Sequence, residues 1–180
     1  GEQARGLAWD LGANRGDYAR ILAETTRTVA ALDDDPAVHE GLYRGLRQNA
    51  DSRILPLCVD IVDASPGLGW RGAERRRLEE RGKPEFVLAL AVLHHLRLGA
   101  GIPTAELAAW LAALDAEAVV EFVAKDDPAA RRLLQRKDDR YEDWTAPAFE
   151  ASLKPRFSLV RRDELAGGRR VLYHLRPRGA

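Results

Sequence analysis

Short, continuously apolar runs alternate along the chain with stretches whose apolar residues have helical spacing. Such runs are typical of buried strands, whereas recurrence every three or four residues is typical of a helix with one buried face. The strand-like runs lie at 7–11, 28–32, 54–59, 86–91, 119–123, 157–160 and 171–175. The clearest helix follows Asp35-Pro36, which predicts an N-cap with proline at the first helical position, and its stripe is Val38, Leu42 and Leu46.

Further helices are predicted between the strand-like runs. They cover 17–24, 74–81, a stretch beginning at Pro103 and a stretch beginning at Pro128. Strands that alternate with helices favour a mostly parallel sheet with helices on both faces. Gly167-Gly168 separates the last two runs and predicts an antiparallel hairpin. We therefore expect an α/β fold with seven strands, in a single domain over 1–180.

Composition and charge narrow the class of protein. The 180 residues are 46% hydrophobic and 31% charged, which suits one packed domain. Because no apolar run is long enough to cross a bilayer, we expect no membrane span and a cytoplasmic protein. The formal net charge is +0, so no basic footprint for nucleic acid is predicted. Residues 154–178 carry eight basic and two acidic side chains, which we interpret as a solvated surface.

Cys58 is the single cysteine of the chain. It excludes an intrachain disulfide and a cysteine-based metal site, and its apolar surroundings predict a buried side chain. No metal centre is predicted. The chain has no methionine and begins with Gly1, so we expect that residues upstream of this start have been removed.

The turn after the first strand has an unusual composition. Residues 10–16 read Asp-Leu-Gly-Ala-Asn-Arg-Gly, whereas a dinucleotide site favours Gly-x-Gly-x-x-Gly, and Asn14 replaces the middle glycine. Asp10 would repel a pyrophosphate, which disfavours a nicotinamide-dependent oxidoreductase. The same carboxylate would attract a cation. S-adenosylmethionine, with a sulfonium, an ammonium and no phosphate, suits this turn.

Two further acids end the next two strands. Asp33 follows the second strand, where a carboxylate accepts hydrogen bonds from ribose hydroxyls, and Asp60 follows the third, where it can accept from an adenine amino group. An aspartate after a strand also commonly serves as a turn or helix-cap residue. The three acids together with the glycine turn predict a nucleoside-type site.

The order of these motifs resembles the class I S-adenosylmethionine-dependent methyltransferases. The motifs are Trp-Asp-Leu-Gly-Ala-Asn-x-Gly, Ala-Leu-Asp-x-Asp-Pro, Cys-Val-Asp and Leu-Ala-Val-Leu-His-His-Leu, and they span most of the chain. The resemblance implies a Rossmann-like methyltransferase fold with S-adenosylmethionine as cofactor. Many members of the family have glycine where this chain has Asn14. The implied cofactor-binding residues are Asp10, Gly12 and Gly16 at the methionine end, Asn14 in the turn, Asp33 at the ribose, Asp60 and Ile61 at the adenine, and Ala91 along the cofactor.

A narrower likeness concerns the segments Pro-Gly-Leu-Gly-Trp-Arg and Glu-Phe-Val-Ala-Lys-Asp-Asp-Pro. They resemble a subgroup found in nodulation-type proteins, in which a long N-terminal region precedes the methyltransferase domain. The chain is also similar to the small methyltransferase-like subunit of aziridine-forming natural-product complexes, where the larger region is a separate protein. This likeness implies a larger protein partner or a missing N-terminal domain.

Candidates for catalysis follow the fourth strand. His94 and His95 have the side chain suited to a general base, although one can instead pack under the sheet and the other be solvated. Glu121 lies inside an apolar strand and needs a partner, either Lys125 or an arginine. Trp70 lies in a glycine- and proline-rich loop and either closes over a ligand or anchors the loop.

Two functions remain open. The first is an S-adenosylmethionine-dependent methyltransferase acting on a small molecule in secondary metabolism. The second is a methyltransferase-like subunit that completes a larger partner and transfers no methyl group. The second is motivated by the lack of acceptor-binding segments before the first strand, which is predicted to begin near Leu7.

Overall fold

The computed structural model describes residues 5–135, 140–165 and 167–179. The contacts between its residues divide the chain into two compact units, Gly1–Leu88 and Ala89–Ala180. The expectation of a single domain over 1–180 stays a prediction.

Parallel strands and the helices between them build the first unit. Its elements are β1 (Arg5–Leu11), α1 (Asp17–Leu22), β2 (Thr26–Asp33), α2 (Pro36–Gln48), β3 (Ile54–Cys58), a 3₁₀ turn (Trp70–Gly72), α3 (Leu78–Arg81) and β4 (Phe86–Ala89), the last of which ends at the first residue of the second unit. β2 pairs in parallel with β1 and with β3. The four predicted strands of this region are present, with ends shifted by at most two residues.

The predicted amphipathic helix supplies the core of the first unit. Leu42 and Leu46 are buried against the strand residues Val29 and Ile54. The Asp35 carboxylate caps α2 by accepting hydrogen bonds from the two backbone N–H groups of residues 37 and 38. The predicted cap is thereby confirmed, and of the predicted stripe Leu42 and Leu46 are buried while Val38 is half-buried.

An antiparallel hairpin dominates the second unit. Its elements are a π-helical segment (His95–Gly99), α4 (Thr104–Ala113), β5 (Glu117–Val123), α5 (Pro128–Leu134), α6 (Ala146–Leu153), β6 (Phe157–Glu164) and β7 (Arg170–Pro177). β7 is antiparallel to both β5 and β6. Phe122, Trp144, Phe149 and Tyr173 form an aromatic cluster, with successive ring centroids 4.9 to 5.6 Å apart.

The seven strands follow the order β3-β2-β1-β4-β5-β7-β6. Parallel pairing joins β1, β2 and β3, and the C-terminal hairpin is antiparallel. This arrangement confirms the predicted α/β class, the strand number and the hairpin.

Several local expectations were wrong. Cys58 is exposed, because it ends β3 at the edge of the sheet, where only Ile54 of that strand is fully buried. The helix expected over 74–81 is reduced to α3, since Glu74 and Arg75 donate their backbone N–H groups to the carbonyl of Leu68 and close a loop instead.

The helices differ from expectation at two other places. The apolar side chains expected to share a face of α1 include Tyr18 and Ile21, and both are exposed, while the smaller Ala19 is buried. α6 was not predicted, although Thr145 caps it and proline lies in its first turn.

Among the described residues, none of the helices has both the length and the apolar character needed to span a membrane. In the same residues, no group of three or more His, Cys, Asp or Glu side chains is placed to hold a metal ion.

Candidate functional site

The turn that follows β1 is bound to the end of β2 and has a left-handed backbone. The N–H groups of Gly12 and Ala13 both donate to the Leu32 carbonyl at 2.9 Å. Gly12, Asn14 and Gly16 have φ values of 70°, 48° and 76°. Asparagine is one of the few non-glycine residues that adopt this region readily. Asn14 therefore adopts, without a glycine, the left-handed backbone that this turn requires.

Gly16 is required on two grounds. Its φ is positive, and a Cβ added there would lie 2.6 Å from Cδ1 of Leu42 in α2. The turn therefore lies directly against α2, and a side chain at this position would push the two elements apart.

Asp10 lies in β1 beneath the turn and is 2% exposed. Its Oδ2 atom is buried and has no hydrogen-bond partner, while the carboxylate accepts a hydrogen bond from the backbone of Ala19. Burial, with a smaller contribution from the negative charge of Asp33, raises the pKa of this carboxyl to about 7, although the hydrogen bond from Ala19 acts in the opposite direction. A buried carboxylate with a free acceptor position is suited to a cation or a hydrogen-bond donor.

Asp33 connects the end of β2 to the turn. Its Oδ2 accepts a hydrogen bond from the Asn14 N–H at 2.8 Å, and its Oδ1 accepts one from the Asp35 N–H at 3.0 Å. A carboxylate offers about four acceptor positions. Two therefore remain for the hydroxyls of a sugar.

Asp60 and Ile61 follow β3, the strand next to β2. Asp60 is exposed, and its Oδ1 accepts a hydrogen bond from the Val62 N–H at 2.8 Å. Ile61 is half-buried. Cys58, two residues before Asp60, pairs with Asp33, and the Val59 N–H donates to the Asp33 carbonyl at 2.8 Å. Asp33 and Asp60 therefore follow the same ends of two adjacent parallel strands.

A cavity of about 670 Å³ opens beside the turn between α1 and α2. Its lining consists of Arg15, Asp17, Arg20, Ala37, Val38, Gly41 and Leu42. The three predicted carboxylates are not part of this lining, so the cavity and the predicted nucleoside site are different features of the first unit.

In the second unit, a hydrogen bond joins the backbone of Ala91 to the side chain of Glu121. Ala91 has a φ of 50° and donates its N–H to Oε2 of Glu121 at 2.6 Å. Oε1 of Glu121, which is 5% exposed, lies 3.3 Å from Nη1 of Arg170. The expected partner of Glu121 is therefore an arginine.

The two candidate catalytic histidines have different environments. His94 is 1% exposed, neither ring nitrogen has a hydrogen-bond partner, and burial lowers its pKa to about 4, with the nearby charge of Arg170 acting in the same direction. It is therefore neutral at pH 7. His95 is exposed, and its ring centroid lies 4.3 Å from that of His94.

Sequence reasoning missed the ion cluster around Arg170. Nε and Nη2 of Arg170 donate to the two oxygens of Asp127 at 2.8 and 3.0 Å, and Asp127 also caps α5. These two residues are separated by 43 positions. The buried Glu121 was the one signal of such a cluster in the sequence.

The strand order with its antiparallel β7 is the class I methyltransferase fold, and comparisons with solved structures agree. The chain superimposes on the N-methyltransferase NodS from Bradyrhizobium japonicum WM9 in complex with S-adenosyl-L-homocysteine, with a TM-score of 0.63, 15% identity and coverage of 98% of this chain and 80% of that one. A SAM-dependent methyltransferase from Aquifex aeolicus superimposes with a TM-score of 0.58 and 12% identity, and the match covers 97% of this chain and 84% of that one. At these identities the likeness establishes the fold.

Sequence comparison identifies a relative in the nodulation proteins. Nodulation protein NoeA of Rhizobium meliloti (strain 1021) is 33% identical over 165 residues, which cover 91% of this chain and 34% of that protein. The chain therefore spans about a third of the length of the curated relative that it matches. No family model matches. The match agrees with the expected nodulation-type likeness, whereas the likeness to aziridine-forming complexes stays a prediction.

Proposed function

We propose that the chain binds S-adenosylmethionine in its first unit and transfers the methyl group to a small-molecule acceptor of secondary metabolism. The observation that supports this proposal best is Asp10, a buried carboxylate with an unpartnered oxygen under a left-handed turn. A pyrophosphate would be repelled there, while a sulfonium or ammonium would be attracted. The cytoplasm stays the predicted compartment.

Each part of the proposed ligand has a matching group. Asp10, Gly12, Asn14 and Gly16 would hold the methionine end, because the turn exposes backbone near a negative charge. The free acceptor positions of Asp33 suit the ribose hydroxyls. Asp60 and Ile61 would receive the adenine, as the family resemblance implies.

The predicted catalytic residues are the two histidines, His94 and His95. The cofactor supplies an activated methyl group, so the protein needs chiefly to align a nucleophile in a dry site. His95 is the better candidate for taking a proton from a hydroxyl acceptor, because it is exposed and His94 is not. His94 has the weaker case, since its depressed pKa disfavours the protonated form.

Calorimetric titration with S-adenosylhomocysteine tests the cofactor, with Asp33→Asn and Asp34→Asn as a matched pair. Each variant removes one acid from the same loop, but only Asp33 contacts the turn. We expect Asp33→Asn to weaken binding by about tenfold or more, because hydrogen bonds to a charged group contribute about 1.5–3 kcal/mol each. Asp34→Asn should bind within about twofold of the unmodified chain. No heat at high micromolar ligand would contradict the proposal, and heat with NAD instead would favour an oxidoreductase.

The single cysteine supplies a second readout of the same site. Cys58 is exposed and lies opposite Asp33 in the parallel pairing of β2 and β3. A ligand whose ribose binds Asp33 should slow alkylation of this thiol, and Asp33→Asn should abolish the protection. An alkylation rate that S-adenosylhomocysteine leaves unchanged would place the ligand elsewhere.

A subunit that completes a larger protein without methyl transfer is the second candidate. The chain matches only about a third of its relative, and Trp70 is 78% exposed on a loop closed by the Leu68–Arg75 bridge. Arg71, next to Trp70, has a φ of 56°. Tryptophan and arginine are enriched at the energetic centres of protein interfaces. This exposure contradicts the alternative that Trp70 anchors its own loop.

The two candidates differ in how variants of this chain affect the metabolite made by cells that express it with its partner protein. If the chain is a methyltransferase, the Asp10→Ala/Asp33→Ala double variant should abolish formation of that metabolite. If the chain only completes its partner, the double variant should leave formation of the metabolite intact. A completing subunit should instead lose product with Trp70→Ala and retain it with Leu55→Ala, a control that is 52% exposed. Methylation of an acceptor by the isolated chain would exclude the second candidate.

A further inference from the structure

An ion cluster with an excess carboxylate lies in the second unit. Arg170 is neutralised by Asp127 through two hydrogen bonds, and this pairing holds the pKa of Asp127 below its usual range. Glu121 adds a second carboxylate, 5% exposed, to the same guanidinium. Asp127 already balances the charge of Arg170, so burying Glu121 beside this pair costs free energy. A further contact of the Glu121 carboxylate must offset that cost.

The second oxygen of Glu121 makes this contact. Oε2 accepts a hydrogen bond from the Ala91 N–H at 2.6 Å, and Ala91 has a left-handed backbone with a φ of 50°. This conformation is unfavourable for a residue with a Cβ, so it needs support from its surroundings. A charge-assisted hydrogen bond from the turn to a buried carboxylate supplies that support.

The segment that begins at Ala91 is held at its other end as well. Arg97, inside the π-helical segment, donates to Oδ1 of Asp143 at 2.6 Å, and Thr104 donates to Oδ2 of the same residue at 3.1 Å. The guanidinium of Arg97 also lies 4.7 Å from the ring centroid of Tyr141. His95 therefore lies between two anchored residues, Ala91, which is bonded to Glu121, and Arg97, which is bonded to Asp143. Single π-helical turns occur frequently at functional sites.

We propose that Glu121 is a positioning residue, which holds the turn at Ala91 and thereby presents His95 to the methyl acceptor. The role of His95 toward a methyl acceptor rests on the proposed function, whereas the support of the turn by Glu121 does not. Glu121 acts through the backbone of residue 91 and does not itself contact a reactant. Arg170 orients the carboxylate through its contact with Oε1, and Asp127 fixes Arg170.

Amide hydrogen exchange of Ala91, measured by NMR, tests the contact directly. Glu121→Ala removes both acceptors, and the Ala91 amide should exchange about tenfold to a hundredfold faster, as expected for the loss of a hydrogen bond to a charged group. Glu121→Gln keeps one acceptor oxygen and should retain most of the protection. Glu150→Ala is the control, because Glu150 also bonds an arginine and a neutral donor in the second unit, through Arg162 and Tyr173.

The reactivity of His95 and the melting temperature separate positioning from general stability. Glu121→Ala should change the rate at which diethyl pyrocarbonate modifies His95 severalfold, because the turn that precedes His95 loses its hydrogen bond to residue 121. Glu121→Gln should keep this rate close to that of the unmodified chain, and Glu150→Ala should lower the melting temperature without changing the rate. An Ala91 amide equally protected in Glu121→Ala, or equal His95 rates in the two alanine variants, would overturn the inference. Neither readout needs a ligand, so a chain that binds no S-adenosylhomocysteine would contradict the proposed function and leave this test of Glu121 intact.

Discussion

Asp10 combines an ionisable group, near-complete burial and an oxygen without a partner. Its pKa of about 7 lies far above the usual range for aspartate, because burial disfavours the charged form. The Asp10 carboxyl therefore exchanges its proton near neutral pH, where an ordinary aspartate is fully ionised. A cationic ligand binds the ionised form, so binding and proton release are coupled.

We predict that the affinity for S-adenosylmethionine falls as the pH is lowered from 8 to 6. Below the pKa of Asp10 the ligand must displace a proton, which weakens binding by up to about tenfold per pH unit. Titration calorimetry at several pH values measures this slope. Asp10→Asn should bind weakly and with no slope in this range. An unmodified chain whose affinity is flat between pH 6 and 8 would show that Asp10 does not face the cation.

The ligand-free protein supplies an independent check of the same pKa. Since the pKa of Asp10 is raised on folding, its ionisation destabilises the folded state as the pH rises from about 4 to about 7. His94, whose pKa is lowered to about 4, acts in the opposite sense and adds stability as the pH rises over a similar range. The difference in unfolding free energy between the unmodified chain and Asp10→Asn isolates the aspartate, and it should grow in favour of the variant toward pH 7.

At the scale of elements, the contact between the first turn and α2 determines how the candidate site is shaped. The buried stripe of α2 contains Leu42, and this side chain occupies the space that a Cβ at Gly16 would need. The glycine is thus required by packing between elements in addition to its backbone conformation.

We predict that Gly16→Ala destabilises the protein by about 2 kcal/mol, from a strained positive φ and overpacking against Leu42. Gly41→Ala is the matched control in α2. A Cβ there meets nothing within 4 Å, and replacing a mid-helix glycine gains up to about 1 kcal/mol. Chemical denaturation measures both variants. In a Leu42→Ala background the cost of Gly16→Ala should shrink, and equal costs in both backgrounds would rule out the contact.

At the scale of the whole molecule, ion pairs account for much of the uneven charge distribution. The basic excess over 154–178 is met in the second unit by acids from outside that stretch. The pairs are Arg162 with Glu150, Arg169 with Asp126, Arg170 with Asp127 and Arg176 with Glu117. A local charge count along the sequence therefore overstates the positive field of this region.

Sequence patterns alone determined the order of the strands, most of the helices between them, the antiparallel hairpin and the cap of α2. These features depend on neighbouring residues, through apolar periodicity, turn glycines and a capping aspartate. The carboxylates of the candidate site were also found in the sequence, because each lies at or just beyond the end of a strand. The left-handed Asn14 fits the same local rules.

Tertiary structure alone decided which of these groups are buried and what they contact. The raised pKa of Asp10, the exposure of Cys58 and the bond from Ala91 to Glu121 arise from residues distant in the chain. Burial and ion pairing depend on the packing of several elements at once, so no local pattern encodes them. For the same reason, the pairing of Arg170 with Asp127 is not visible in the sequence, because the two residues are 43 positions apart and only the fold brings them into contact.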